Sequence, residues 1–289
     1  MMPSMTPGDH DYQTPQIDPT QAAPVRAIPF ARPFAVEGAC EPTPAAGGLV
    51  TDALEAAWPP RMSRLRAIVE LLVLIPAGVI GSVSVIAPFS VTKLVDNRWY
   101  NVLGSVGPGI GTLTACAIML LISRQRPASI GLTRRNWLAN IGLGVAALVA
   151  FYAFVVIPLS ISFPQLAKQG EYTRQAIEQT FPPMNFAWVA LMMTFVVLWE
   201  EVVFRGFVLT RMRVIFGRWW LSILIGSIVF GAIHFSYQGV LAVVMIALLA
   251  VLMGVVFAWR RSIIPSMTLH WLFNVGTLLA IKYLFKTWK

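Results

Sequence analysis

About seven apolar runs, each near the 20 residues that an α-helix needs to cross roughly 30 Å of hydrocarbon, follow one another after residue 66 of this chain. They cover 67–91, 102–123, 137–163, 186–211, 219–236, 239–258 and 264–285. Within lipid, peptide groups can be satisfied only inside helices or around a closed barrel. A barrel would show alternating segments of about ten residues, and the chain has none. The fold class expected is therefore all-α: a polytopic membrane protein with about seven transmembrane helices, or eight if one segment is re-entrant or missed. A mean hydropathy of +0.69, with 57% hydrophobic and 12% charged residues, agrees with that class.

Charge is divided along the chain. Seven of the 13 acidic residues precede residue 56, whereas 20 of the 22 Lys and Arg follow residue 60. The arginines cluster at helix ends: Arg61, Arg64 and Arg66 before the first run, Arg124, Arg126, Arg134 and Arg135 after the second, Arg211, Arg213 and Arg218 after the fourth, Arg260 and Arg261 after the sixth. Nucleic acid would call for a basic face or stripe, so no nucleic-acid partner is expected. The lipid bilayer is the partner, and the positive-inside rule accounts for the pattern with the amino terminus in the cytoplasm. An odd helix count then puts Lys282, Lys286 and Lys289 outside, against that rule. Trp99, Trp137, Trp219, Trp220, Trp259 and Trp288 stand near helix ends as interface anchors.

Residues 1–60 hold 11 of the 20 prolines and no long apolar run, which reads as a disordered cytoplasmic tail ahead of a helical transmembrane domain over 61–289. They show no basic segment followed by a cleavage site. Cys40 and Cys116 imply no disulfide framework. Gly107 and Gly111 form a GxxxG pair suited to close helix packing.

Against this background the stretch LWEEVVFRGF at 198–207 stands out. Each charge at a helix centre costs about 2.5–3.5 kcal/mol, so Glu200, Glu201 and Arg205 together cost about 8–10 kcal/mol, more than the apolar residues around them return. They must face the bundle interior. At 100° per residue, Glu201 and Arg205 stack at i and i+4, which predicts a pair. Glu200 is left on a neighbouring face and needs a partner on another helix. Two intramembrane histidines are available: His234 in the fifth run, one turn after Phe230, and His270 in the seventh, one turn before Asn274. Each is costly alone, so Glu200, His234, His270 and Asn274 are expected to converge on one wet pocket.

That inventory suits hydrolysis. Glu200 can serve as general base on a water, with the imidazoles and Asn274 orienting it or donating to the oxyanion of a tetrahedral intermediate. One carboxylate and two histidines are also a zinc-ligand set, so a divalent metal held by Glu200, His234 and His270 stays open. No HExxH spacing supports it.

These residues resemble the motifs of a known family, the CAAX prenyl-protease and bacteriocin-processing family, also called the Abi family of intramembrane proteases. EExxxR is matched by Glu200, Glu201 and Arg205; FxxxH by Phe230 and His234; HxxxN by His270 and Asn274. The likeness covers roughly residues 130–285, with IGL at 130–132 as a weaker echo. It implies an intramembrane endopeptidase acting on a membrane-associated or lipidated peptide or protein, with Glu200 activating water, His234, His270 and Asn274 completing the site, and Glu201 and Arg205 in support. Members have been described both as metalloproteases and as glutamate-dependent enzymes without a catalytic metal. The absence of organellar targeting features suits a bacterial plasma membrane. Two other readings of the same residues are a catalytically idle scaffold or bacteriocin-immunity protein and a proton-coupled transporter.

Overall fold

The structure is a computed structural model that describes residues 58–90, 97–163, 174–175 and 185–284. The expected tail over 1–60 lies outside the described residues except for its last three. Among the described residues there are only helices and turns. Seven longer helices run α1 (Arg64–Ser90), α2 (Asn97–Ile122), α3 (Trp137–Ser162), α4 (Phe186–Phe216), α5 (Trp219–Ala232), α6 (Phe235–Arg260) and α7 (Ile264–Leu284). A single 3₁₀ turn, Pro127–Ile130, follows α2.

Five helical stretches are long and apolar enough to cross a membrane: Arg64–Ala87, Val102–Ile122, Trp137–Ser162, Phe186–Phe216 and Ala242–Arg260. The chain is thus a multi-pass membrane protein; among the described residues five such stretches are found, against the about seven crossings expected. Helix α5 accounts for part of the difference. Its 14 residues rise only about 21 Å, short of the hydrocarbon thickness. The apolar run 219–236 hides this break, because Ile233 and Phe235 keep it apolar through the turn that ends the helix.

Two helices contain widened, π-type turns. In α3 the turn spans Tyr152–Val156, and in α4 it spans Glu201–Val208, immediately after Glu200. Asn185 starts α4 by accepting the Trp188 N–H at 3.0 Å, and Gly217 ends it with φ of 71°, a conformation that costs a glycine little. Arg261 ends α6 in the same left-handed conformation.

The α1–α2 pair is held by backbone contact. A Cβ on Gly81, Gly107 or Gly111 would strike backbone atoms of the facing helix, so the GxxxG pair expected to favour close packing does sit at such a contact. Residue Gly109 on the same helix lets the Trp199 ring of α4 come against α2, since a Cβ there would lie 2.5 Å from Trp199 Cδ1. Buried residues form one cluster around Leu74, Cys116, Ile130, Phe207 and Phe257, and another around Phe151, Phe230, Met253 and Leu269. Side chains such as Phe154, 80% exposed, cover the outside and require lipid. Trp219 departs from the anchor expectation: it is buried and stacks on Trp58 with ring centroids 5.7 Å apart.

A second set of buried charges lies at the end of the bundle where α1 begins and α2 and α4 finish. Arg211, fully buried, donates to Glu70 on α1 at 3.0 Å, to Gln125 at 2.9 Å and to Thr210 at 3.1 Å, and lies 3.6 Å from the Phe207 ring centroid. Glu70 also accepts from Arg66 at 2.8 Å, and Arg66 reaches Ser123. This network ties the α1–α2 pair to the helix that carries Glu200.

Candidate active site

Helix α4 delivers Glu200 and Glu201 at the point where its α-helical turn widens. Both are buried. Glu201 sits behind the wall, fully enclosed, with Arg205 Nη1 at 2.9 Å from its Oε1, the i,i+4 pair that the spacing predicts. Arg205 is further enclosed by the face of Phe230, 4.3 Å from its Cζ, and by the sulfur of Met253 at 3.7 Å. A guanidinium against an aromatic face is attracted electrostatically, most strongly where water is absent.

His270 reaches in from the second turn of α7 and sits between the two carboxylates. Its Nδ1 is 2.9 Å from Glu201 Oε1, and its Nε2 is 3.6 Å from Glu200 Oε2. An ionised carboxylate only accepts, so Nδ1 carries the hydrogen and donates it to Glu201. That fixes the ring orientation and turns Nε2 toward Glu200. Glu200 thus finds its partner on another helix, as its position demands. The role of one imidazole bridging both glutamates is not visible in an ideal helix, where the two side chains diverge by 100°. It arises because the two nitrogens sit on different edges of one ring.

His234 was expected inside a helix; it stands instead in the turn joining α5 to α6, its backbone N–H donating to Gly231 O at 3.0 Å. Its Nδ1 lies 2.7 Å from Phe230 O and must donate to it, because a carbonyl oxygen only accepts. Phe230 packs against both imidazoles, with centroids 5.0 Å from His234 and 5.9 Å from His270. Asn274 follows His270 by one turn, half-buried on the same face.

Glu200, His234, His270 and Asn274 all line one cavity of about 150 Å³, whose other walls include Ser105, Met193, Leu249, Met253 and Phe273. A water needs roughly 10–15 Å³ of such space, so the cavity has room for several and for part of a ligand. Glu201 and Arg205 are not among its lining; Glu201, paired with Arg205, holds His270 from behind. Ser105, from α2, and Met253, from α6, are lining residues that carry no signal in the sequence beyond their helices.

Among the described residues no group of three or more His, Cys, Asp or Glu is arranged to hold a metal ion. The nitrogen Nδ1 of each imidazole is engaged by protein, and His270 Nε2 faces the Glu200 carboxylate directly.

Residues 182–276 match the family model described as type II CAAX prenyl endopeptidase Rce1-like. Searches of curated proteins and of solved structures gave no match. The matched segment is about a third of the chain and contains Glu200, Glu201, Arg205, His234, His270 and Asn274; the match agrees with the resemblance carried by the EExxxR, FxxxH and HxxxN motifs.

Proposed function

We propose that the protein is an intramembrane endopeptidase in which Glu200 activates a water for attack on a peptide carbonyl. The observation that carries this reading is the meeting of Glu200, His234, His270 and Asn274 on one cavity walled by apolar helices. In the proposed reaction a water sits in the cavity against the Glu200 carboxylate, on the side lined by His234. Glu200 takes one proton from it as the oxygen bonds to the carbonyl carbon. The carbonyl electrons move to oxygen, where the Asn274 amide donates to the developing charge. Collapse of the tetrahedral species breaks the C–N bond, and the proton on Glu200 passes to the leaving amine. The atoms balance with one water consumed and no covalent enzyme intermediate.

The buried charges suit that sequence. Arg205 offsets Glu201, and Glu201 orients His270, so the remaining carboxylate, Glu200, is the one that faces the cavity. A positioned base of this kind contributes on the order of 10²–10⁴ in rate, and a single oxyanion donor on the order of 10²–10³. The cavity's apolar walls favour a membrane-associated or lipidated peptide or protein as substrate, and the arginine-rich helix ends suit a cytoplasmic amino terminus in a bacterial plasma membrane.

The test is hydrolysis itself. Wild-type protein in liposomes is incubated in ¹⁸O-water with libraries of lipidated and unlipidated peptides, and products are sequenced by mass spectrometry. Discrete cleavage products carrying one ¹⁸O at the new carboxyl terminus support the reading. If no peptide in either library is cut by protein that has a cooperative melting transition, the reading is wrong.

A further inference from the structure

The loops on either side of α3 and α6 come together at one end of the bundle. Ile263 N–H donates to Gly131 O at 3.1 Å, joining the loop before α3 to the loop after α6. One helical turn into α3, Asn140 is 1% exposed and bonded at both ends of its amide: Nδ2 donates to Arg135 O at 3.1 Å and Oδ1 accepts from Arg260 Nε at 2.8 Å. A buried asparagine therefore holds Arg260 beside the backbone of Arg135, with its guanidinium 5.9 Å from the centroid of the exposed Trp259 ring.

Four arginines flank this junction: Arg134 and Arg135 just before α3, Arg260 at the end of α6 and Arg261 after it. Arg260 is half-buried and the other three are exposed. The chain has no Asp or Glu from 97 to 170 and none after Glu201, and Glu70 at this end is engaged by Arg66 and Arg211. Among the described residues none of the four makes an ion pair. Trp137 and Trp259, each 52% exposed, flank the group at the start of α3 and the end of α6. Such aromatic side chains mark the level of lipid headgroups. Arg261 also holds a left-handed backbone conformation with φ of 53°, where glycine or asparagine is the usual choice.

We infer that Arg134, Arg135, Arg260 and Arg261 form a binding site for the phosphate of an anionic phospholipid, organised by Asn140 and bordered by Trp137 and Trp259. A phosphodiester offers the acceptor oxygens that guanidinium forks match. Its acyl chains run down the exposed apolar surface of α3, where Leu138, Val145 and Val149 stand outward. A lipid supplies both parts at once, whereas a free phosphate supplies only the first. The cluster is more than a general positive-inside bias, because a buried amide fixes the orientation of one of its members.

The experiment titrates the delipidated full-length protein in detergent with phosphatidylglycerol, phosphatidylcholine or inorganic phosphate and reads bound species by native mass spectrometry. Phosphatidylglycerol is expected to bind at least tenfold more tightly than phosphatidylcholine, and millimolar inorganic phosphate to leave it in place. Each arginine contributes about fivefold. Arg134→Gln, Arg260→Gln and Arg261→Gln combined then weaken binding about 100-fold, while Arg61→Gln with Arg64→Gln leaves this site unchanged. Asn140→Ala, which frees Arg260 from its anchor, weakens it as well. If the triple variant does not fold, Arg134→Gln and Arg261→Gln singly still test the fivefold steps, since both side chains are exposed. Equal affinity for the two lipids, displacement by inorganic phosphate, full binding by the arginine variants, or an equal loss with the Arg61 and Arg64 pair overturns the inference.

Discussion

Replacing Glu201 with glutamine removes the one charge that serves Arg205 and His270 together. Arg205 is 3% exposed and its carboxylate partner is 2.9 Å away. Breaking a buried pair by removing one partner costs about 3–5 kcal/mol, because the other charge stays buried. Part of that is returned in Glu201→Gln, since the amide oxygen can still accept from the guanidinium, a hydrogen bond worth about 1–2 kcal/mol. The net expectation is a loss of about 2–3 kcal/mol. Adding Arg205→Met removes the orphaned cation, and stability returns to within about 1 kcal/mol of wild type. Activity does not return, because His270 has lost the carboxylate that orients it in both variants; cleavage falls by about 10²-fold or more. The assay pairs denaturant unfolding in micelles with peptide cleavage on the same preparations. A single variant within about 0.5 kcal/mol of wild type, or a double variant that recovers full cleavage, would refute the reasoning.

Three further outcomes follow from the same geometry. Asn274→Ala, at a half-buried position on the cavity wall, should melt like wild type yet cleave about 10²–10³-fold more slowly, measured by initial rates at saturating peptide. Gly109→Ala drives a methyl group into the Trp199 ring next to Glu200; a loss of about 1–3 kcal/mol in unfolding is expected, with a fall in turnover. Glu70→Ala orphans the fully buried Arg211 and should cost about 3–5 kcal/mol, while Glu70→Gln with Arg211→Met should recover most of it, both read by unfolding.

The sequence made the expensive features legible and the cheap ones opaque. Glu200, His234, His270 and Asn274 stood out because each is costly in an apolar run, and one cavity does gather them. The Glu201–Arg205 pair followed from i,i+4 spacing and survives the widened turn at 201–208. Glu70 carried the same signal, a lone carboxylate in an apolar helix, but its partner Arg211 read as one more charge at a membrane interface. The end of α5 at Ala232 was hidden because hydropathy does not change across the turn that holds His234. Trp219 was misplaced for a related reason: composition near a helix end cannot distinguish a lipid-facing tryptophan from one stacked on Trp58. Motif spacing located the chemistry, whereas the bridging position of His270 depended on the packing of α7 against α4.

The account stands on Glu200 being the group that activates water at this cavity. The direct measurement is turnover of purified Glu200→Gln beside wild type in the same liposomes, on a peptide the wild type cuts, with melting recorded for both. Loss of cleavage by about 10³-fold or more at an unchanged melting temperature is the predicted result. Turnover within tenfold of wild type by the well-folded glutamine variant would contradict it.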